Sequence, residues 1–181
     1  AATVTISTAI VTGSSKALSD VNIAISTDAA SNTYTSASDG SASASLTSGN
    51  TVTVTANLDY SNTSKAVASQ DALDALKLSV GLTTSAGTKT AFEYLAADFN
   101  QDGKVTSQDA LSILKYSVGL PTQEQAKWVF VDSSGDYSGV SKSNTSYTEG
   151  VTIDDLSADT TVSLTGILIG DVNDSYSGLI A

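Results

Sequence analysis

The sequence predicts an α+β protein: a β-sandwich built from strands at both ends of the chain, with a pair of helices in the middle. Three observations lead there. Residues 1–58 alternate apolar residues with Ser or Thr at period two, as half-buried strands do. A helical segment then occurs twice, SQDALDALKLSVGL over 69–82 and SQDALSILKYSVGL over 107–120, differing only at Asp74/Ser112, Ala75/Ile113 and Leu78/Tyr116. Beyond Pro121 the apolar runs again read as strands. The expected division is therefore 1–58 as β strands, 59–120 as a helical module, and 121–181 as strands that pack on or complete the first sheet system.

In the first stretch the strands are TVTIS, DVNIAIS, SASASL and TVTVTAN, separated by turns at Gly13–Ser15, Asp39–Gly40 and Ser48–Asn50 with hairpin-like spacing. The first repeat follows. Its helix is expected to bury Leu73, Leu76 and Val80 at i, i+3 and i+7, and the second repeat to bury Leu111, Leu114 and Val118 in the same way. Gly81 and Gly119 fit the left-handed position after each helix, with Leu82 and Leu120 supplying the contact that accompanies that cap. Between the copies, Thr90 and Glu93 form a capping box for a short helix through Phe92 and Leu95. Pro121 stops the second repeat's helix. KWVFVD reads as a strand, DSSGDYSG as a turn, SYTEGVTI as irregular or strand, and TTVSLTGILIG as a long strand with a bulge at Gly166.

The chemistry is concentrated in DFNQDGKVTSQD, residues 98–109. Asp98, Asn100 and Asp102 occupy positions 1, 3 and 5 of a calcium loop, Lys104 offers the position 7 carbonyl, Thr106 holds a ligand water at position 9, and Asp109 supplies the position 12 carboxylate. Gly103 falls at position 6, where the chain must turn sharply. The loop before the first repeat is degraded. Counting back from Asp71 puts Tyr60, Asn62, Ser64 and Lys65 where ligands and glycine belong; with one residue inserted, Asp59, Ser61 and Asp71 make a second cation set. Otherwise Asp71 only caps its helix. At the chain's end, Asp171 and Asn173 repeat the first two ligand positions, without a position 6 glycine or a following helix; they either donate to the incomplete first site or form a plain turn.

Composition narrows the functional classes. Cysteine and histidine are absent, which removes thiolate and imidazole metal sites and any Ser-His-Asp triad, and leaves oxygen-ligand metals. No GxSxG elbow occurs, and Glu93, Glu124 and Glu149 lie in unrelated contexts, so no enzyme activity is expected. The net charge of −11 argues against a nucleic-acid partner. No apolar run approaches a membrane span, and no membrane insertion is expected. The chain lacks an initiator Met and reads as a portion of something longer.

Two calcium-loop-plus-helix copies with the pattern DxNxDGxxxxxDAxxxLKxxxG resemble a type I dockerin, the module that docks secreted enzymes and surface proteins onto cohesin domains. The resemblance covers about residues 59–120. Its copies lie farther apart than in that family, with TTSAGTKTAFEYLAA filling the extra length. It implies Ca²⁺ as cofactor, an extracellular or cell-surface bacterial setting, and a cohesin-like partner or neighbouring domains of the same protein. The contact positions it implies are Ser69, Gln70, Lys77 and Leu78 in one copy and Ser107, Gln108, Lys115 and Tyr116 in the other. The strand order of residues 1–58 is similar to the small immunoglobulin-like or transthyretin-like sandwiches of secreted bacterial proteins. The alternative is a calcium-rigidified structural segment of a large adhesin or exoprotein that needs no cohesin.

Overall fold

Alternation of Val and Ile with Ser and Thr gives β1 (Thr3–Thr12) its two faces: Val4, Ile6, Thr8, Ile10 and Thr12 are buried while the residues between them are half-buried. The computed structural model describes residues 2–177, which form two compact units. The sheet unit comprises Ala1–Leu58, Val129–Gly135 and Thr148–Gly166; the helical unit comprises Asp59–Trp128, Asp136–Tyr147 and Ile167–Ala181. The strands after β1 are β2 (Asn22–Ser26), β3 (Ser31–Thr35), β4 (Ser41–Thr47), β5 (Asn50–Asn57), β6 (Trp128–Asp132), β7 (Val151–Leu156) and β8 (Thr160–Leu168).

These strands form two four-stranded sheets, β4-β1-β8-β6 and β3-β2-β5-β7, an arrangement compatible with a sandwich. β1 pairs antiparallel with β4, Ile6 opposite Ala44, and parallel with β8, Ile10 opposite Leu164. β2 lies between β3 and β5, antiparallel to both. The core of the unit is Ile6, Ile10, Ile23, Ile25, Val52, Val54, Phe130, Leu156 and Leu164, all but removed from solvent. Each such side chain contributes about 1.5–3 kcal/mol of burial energy.

One expectation about the strands needs correction. The turn at Ser48–Gly49 does not close a hairpin, because β4 and β5 lie in different sheets. Turn residues say that the chain reverses, not which strand it will pair with. β1 and β8 stay in register from Ile6/Thr160 to Thr12/Gly166, and a register shift falls in the β5–β7 pairing, where Asn50 faces Leu156 and Val52 faces Ile153, so that the extra residue lies in β7. β3, SNTYT, was also not anticipated; it is largely exposed and has little apolar signal.

The helical unit holds α1 (Ser69–Ser79), α2 (Ala91–Ala97) and α3 (Ser107–Ser117). α2 begins on the expected capping box, with Glu93 N–H donating to Thr90 Oγ1 at 3.2 Å and Thr90 N–H to Glu93 Oε2 at 2.7 Å. α1 and α3 end alike, in Gly81 (φ 83°) and Gly119 (φ 77°). Leu82 N–H reaches back to the Lys77 carbonyl and Leu120 N–H to the Lys115 carbonyl, closing each last turn.

The faces of these helices are the reverse of the leucine-based expectation. Leu73, Leu76, Val80, Leu111, Leu114 and Val118, together with Leu82 and Leu120, are 41–62% exposed. The buried positions are Asp71, Ala72, Asp74, Ala75 and Leu78 on α1, and Asp109, Ala110, Ser112 and Ile113 on α3. α1 and α3 pack against each other. Small alanines on the inner faces permit close approach, and the carboxylates at the helix starts must face the loops they close.

The expectation that all of 121–181 would pack with the sheets also changes. Phe130 and Leu164 are buried in the sheet unit, but Trp128, Ile167 and Ile169 belong to the helical unit. There the Trp128 ring meets Tyr176 edge-on at 4.9 Å.

Candidate metal centre

Asp98 ends α2 and Asp109 sits in the first turn of α3, so two helices deliver the outer carboxylates of the 98–109 loop. The loop between them winds around those carboxylates through its own amides. Asp98 Oδ1 accepts from Asp102 N–H at 3.1 Å and Oδ2 from Gly103 N–H at 3.0 Å. Asp109 Oδ1 accepts from Asn100 N–H at 3.1 Å, and Oδ2 from Thr106 N–H at 2.8 Å. Gly103 has φ 91°, which an L side chain adopts only under strain. Side-chain oxygens of Asp98, Asp102 and Asp109 lie within 4.8 Å of one another. That span is about twice a calcium–oxygen bond of roughly 2.4 Å, so one ion placed among them reaches all three.

Electrostatics give the same picture. Asp98 and Asp109 are buried, Asp102 is exposed, and among the described residues none of the three is paired with a lysine. Burial raises the Asp109 pKa, and the Asp98 charge raises it further, against the amide hydrogen bonds that lower it. Three like-charged carboxylates, two of them buried, form a place that can hold a metal ion.

Of the remaining expected ligands, Asn100 Oδ1 accepts from Asp102 N–H at 3.1 Å. Thr106 is the N-cap of α3, its hydroxyl accepting from Gln108 N–H and donating to Asp109. Lys104 has an exposed side chain, and its N–H donates to Asp102 Oδ1 at 3.2 Å. Sequence reasoning missed Thr145, whose hydroxyl donates to Asp98 Oδ2, and Tyr147, whose hydroxyl donates to Gln101 Oε1. With Ser146 they line a cleft of about 320 Å³ beside Asp98, Asp102 and Gly103. No local signal in SNTSYTEG marks these residues.

Asp71, the corresponding carboxylate of α1, does not turn to Asp59 or Ser61. Both are exposed, and Ser61 exchanges its hydrogen bond with Thr63. Asp71 Oδ2 accepts from Ala68 N–H at 2.8 Å and Oδ1 from Asn173 N–H at 3.1 Å, across 102 residues of sequence. Asp171 comes with Asn173: its Oδ1 accepts from Ser175 N–H at 2.9 Å and its Oδ2 from Tyr176 N–H at 2.9 Å. Burial pushes the Asp71 carboxyl up to about 7, helped by the Asp171 charge, and burial raises Asp171 as well.

The implied contact residues divide. Ser69, Gln70, Ser107, Gln108 and Lys115 are exposed and Lys77 is partly so. Leu78 is 0% exposed and cannot meet a partner. Tyr116 is half-buried, its ring 5.7 Å from that of Phe99. Where the two repeats differ in sequence they differ at inward-facing positions, so those differences serve packing.

Fold and site together define an α+β protein with an oxygen-lined loop, between two helices, that could hold a metal ion. Comparison with protein-family models, with curated proteins and with solved structures found no match to this chain.

Proposed function

We propose that this chain is a calcium-binding docking module, similar in working principle to a type I dockerin, that anchors a secreted or cell-surface protein to a cohesin-like partner. The observation that carries the reading is the meeting of the Asp98, Asp102 and Asp109 oxygens within 4.8 Å, with no lysine to neutralise them. A dication relieves their mutual repulsion, and oxygen-only ligands on a loop of this spacing suit calcium. Bound calcium fixes the end of α2 against the start of α3. Millimolar extracellular calcium is the setting in which a site of ordinary micromolar affinity stays filled.

Docking is favoured over a purely structural role by the outward faces of α1 and α3. Eight exposed apolar side chains lie on them or just past their ends, edged by Lys77 and Lys115. Exposed apolar surface of that kind is what an interaction site needs. The module binds and does not catalyse. The test is capture of cohesin domains by the full chain in calcium and in chelator. Calcium-dependent capture, weakened at least tenfold by Leu76→Ser or Leu114→Ser, supports docking. Absence of capture in saturating calcium by a panel of cohesins would leave the structural role in its place.

A further inference from the structure

The C-terminal segment and the start of α1 reproduce the amide hydrogen bonds to the two outer carboxylates of the intact loop, although they are separate in sequence. Asp171 accepts amide hydrogen bonds from the residues four and five later, as Asp98 does. Asn173 N–H donates to the Asp71 carboxylate as Asn100 N–H donates to Asp109. The residue after each asparagine is left-handed, Asp174 at φ 52° and Gln101 at φ 59°. Ser175, at the place of Asp102, donates its hydroxyl at 3.0 Å to the Ala66 carbonyl, which stands five residues before Asp71 as the Lys104 carbonyl stands before Asp109.

Geometry of this kind would describe a mere turn were it not for a separate observation. The side-chain oxygen of Asn173 is shut off from solvent and accepts no hydrogen bond. In the intact loop the matching oxygen of Asn100 is satisfied by Asp102 N–H. A buried carbonyl oxygen without a donor is unfavourable unless something electropositive meets it. Asn173 N–H donates to Asp71, which is 0% exposed, and Asp171, two residues before Asn173, is 3% exposed; among the described residues neither carboxylate is paired with a lysine. An orphaned oxygen and two uncompensated carboxylates call for a cation.

We infer that Asp171, Asn173, Ser175, the Ala66 carbonyl and Asp71 form a second divalent-cation site, split between the chain's C-terminal segment and α1. Asn173 Oδ1 is its otherwise unpartnered ligand. Ala68, at the place of Thr106, has no hydroxyl, so water completes the shell there. The ion fastens the last described residues to the first repeat's helix, and the helical unit is closed by metal rather than by a continuous loop. Hard oxygen ligands select calcium over softer metals.

The experiment is calorimetric titration of the chelator-treated full chain with Ca²⁺, beside hydrogen exchange read separately over 98–109 and 171–177. Two equivalents are expected for the unsubstituted chain. Asp171→Asn and, independently, Asn173→Ala are expected to remove one equivalent or weaken it at least tenfold. Both should also abolish calcium-dependent protection at 171–177 and keep it at 98–109. Asn173→Ala removes the orphaned oxygen and leaves both carboxylates, so it carries the test if Asp171→Asn does not fold. Asp102→Asn should do the converse. The inference is overturned by a single equivalent that Asp102→Asn abolishes and the other two variants leave intact, a result under which the 98–109 site stands. It is overturned equally by two equivalents that survive both C-terminal substitutions.

Discussion

Asp109 closes the 98–109 loop through Asn100 N–H and caps α3 through Thr106 N–H with the same carboxylate, so the proposed metal binding and helix initiation share one side chain. Asp109→Asn keeps an acceptor for one of these amides but loses the charge. It should weaken calcium binding at least tenfold, roughly 1.4 kcal/mol or more, in a calorimetric titration. Asp71, Asp109 and Asp171 all have folded-state pKa values raised by burial, Asp71 to about 7. A carboxyl whose folded pKa exceeds its unfolded one, near 4, favours the fold when protonated. In chelator-treated protein that contribution is complete below about pH 4 and is lost as pH rises through about 7. Thermal melts in chelator should therefore fall across this window, and saturating calcium should flatten the trend. Gly170, at φ 105°, is held where a Cβ would come 2.9 Å from the Phe99 ring and 3.3 Å from Val67. Gly170→Ala should lower stability by about 1–3 kcal/mol in chemical denaturation.

At the level of elements, α1 and α3 show which signals in the chain are readable. The 98–109 loop is legible because its ligand positions are contiguous and each demands a residue type: Asp, Asn, Asp, Gly, Asp. The Thr90/Glu93 box and the Gly81 and Gly119 caps are legible for the same reason, being local. The buried face of each helix is not. Periodicity places Leu73, Leu76 and Val80 on one stripe and Ala72, Ala75 and Leu78 on another, and hydrophobicity alone ranks the wrong one first. What decides is that Asp71 and Asp109 must turn inward to their loops, which brings the alanines with them. The consequence is measurable. Leu78→Ala should cost about 2–5 kcal/mol in denaturant unfolding, while Leu76→Ser should shift stability by no more than about 0.5 kcal/mol. Equal losses would mean that the exposed leucines are core after all.

Across the whole molecule, the part hidden from sequence reading is what joins distant stretches. Asp171 and Asn173 match the first two ligand positions of the 98–109 loop, yet nothing within ten residues of them points to Asp71, 102 residues away, as the carboxylate that Asn173 N–H meets. The same limit hides the parallel pairing of β1 with β8 and the placing of β4 and β5 in separate sheets. If the proposed sites hold calcium, a chain of net charge −11 would gain stability by mass action, about 4 kcal/mol when calcium exceeds the dissociation constant a thousandfold. The most direct measurement is the thermal unfolding of chelator-stripped protein, with millimolar calcium and without, for the unsubstituted chain and for Asp98→Asn. A rise of several degrees on adding calcium, much reduced in the variant, is the expected result; identical melting curves with and without calcium would contradict a metal-set fold.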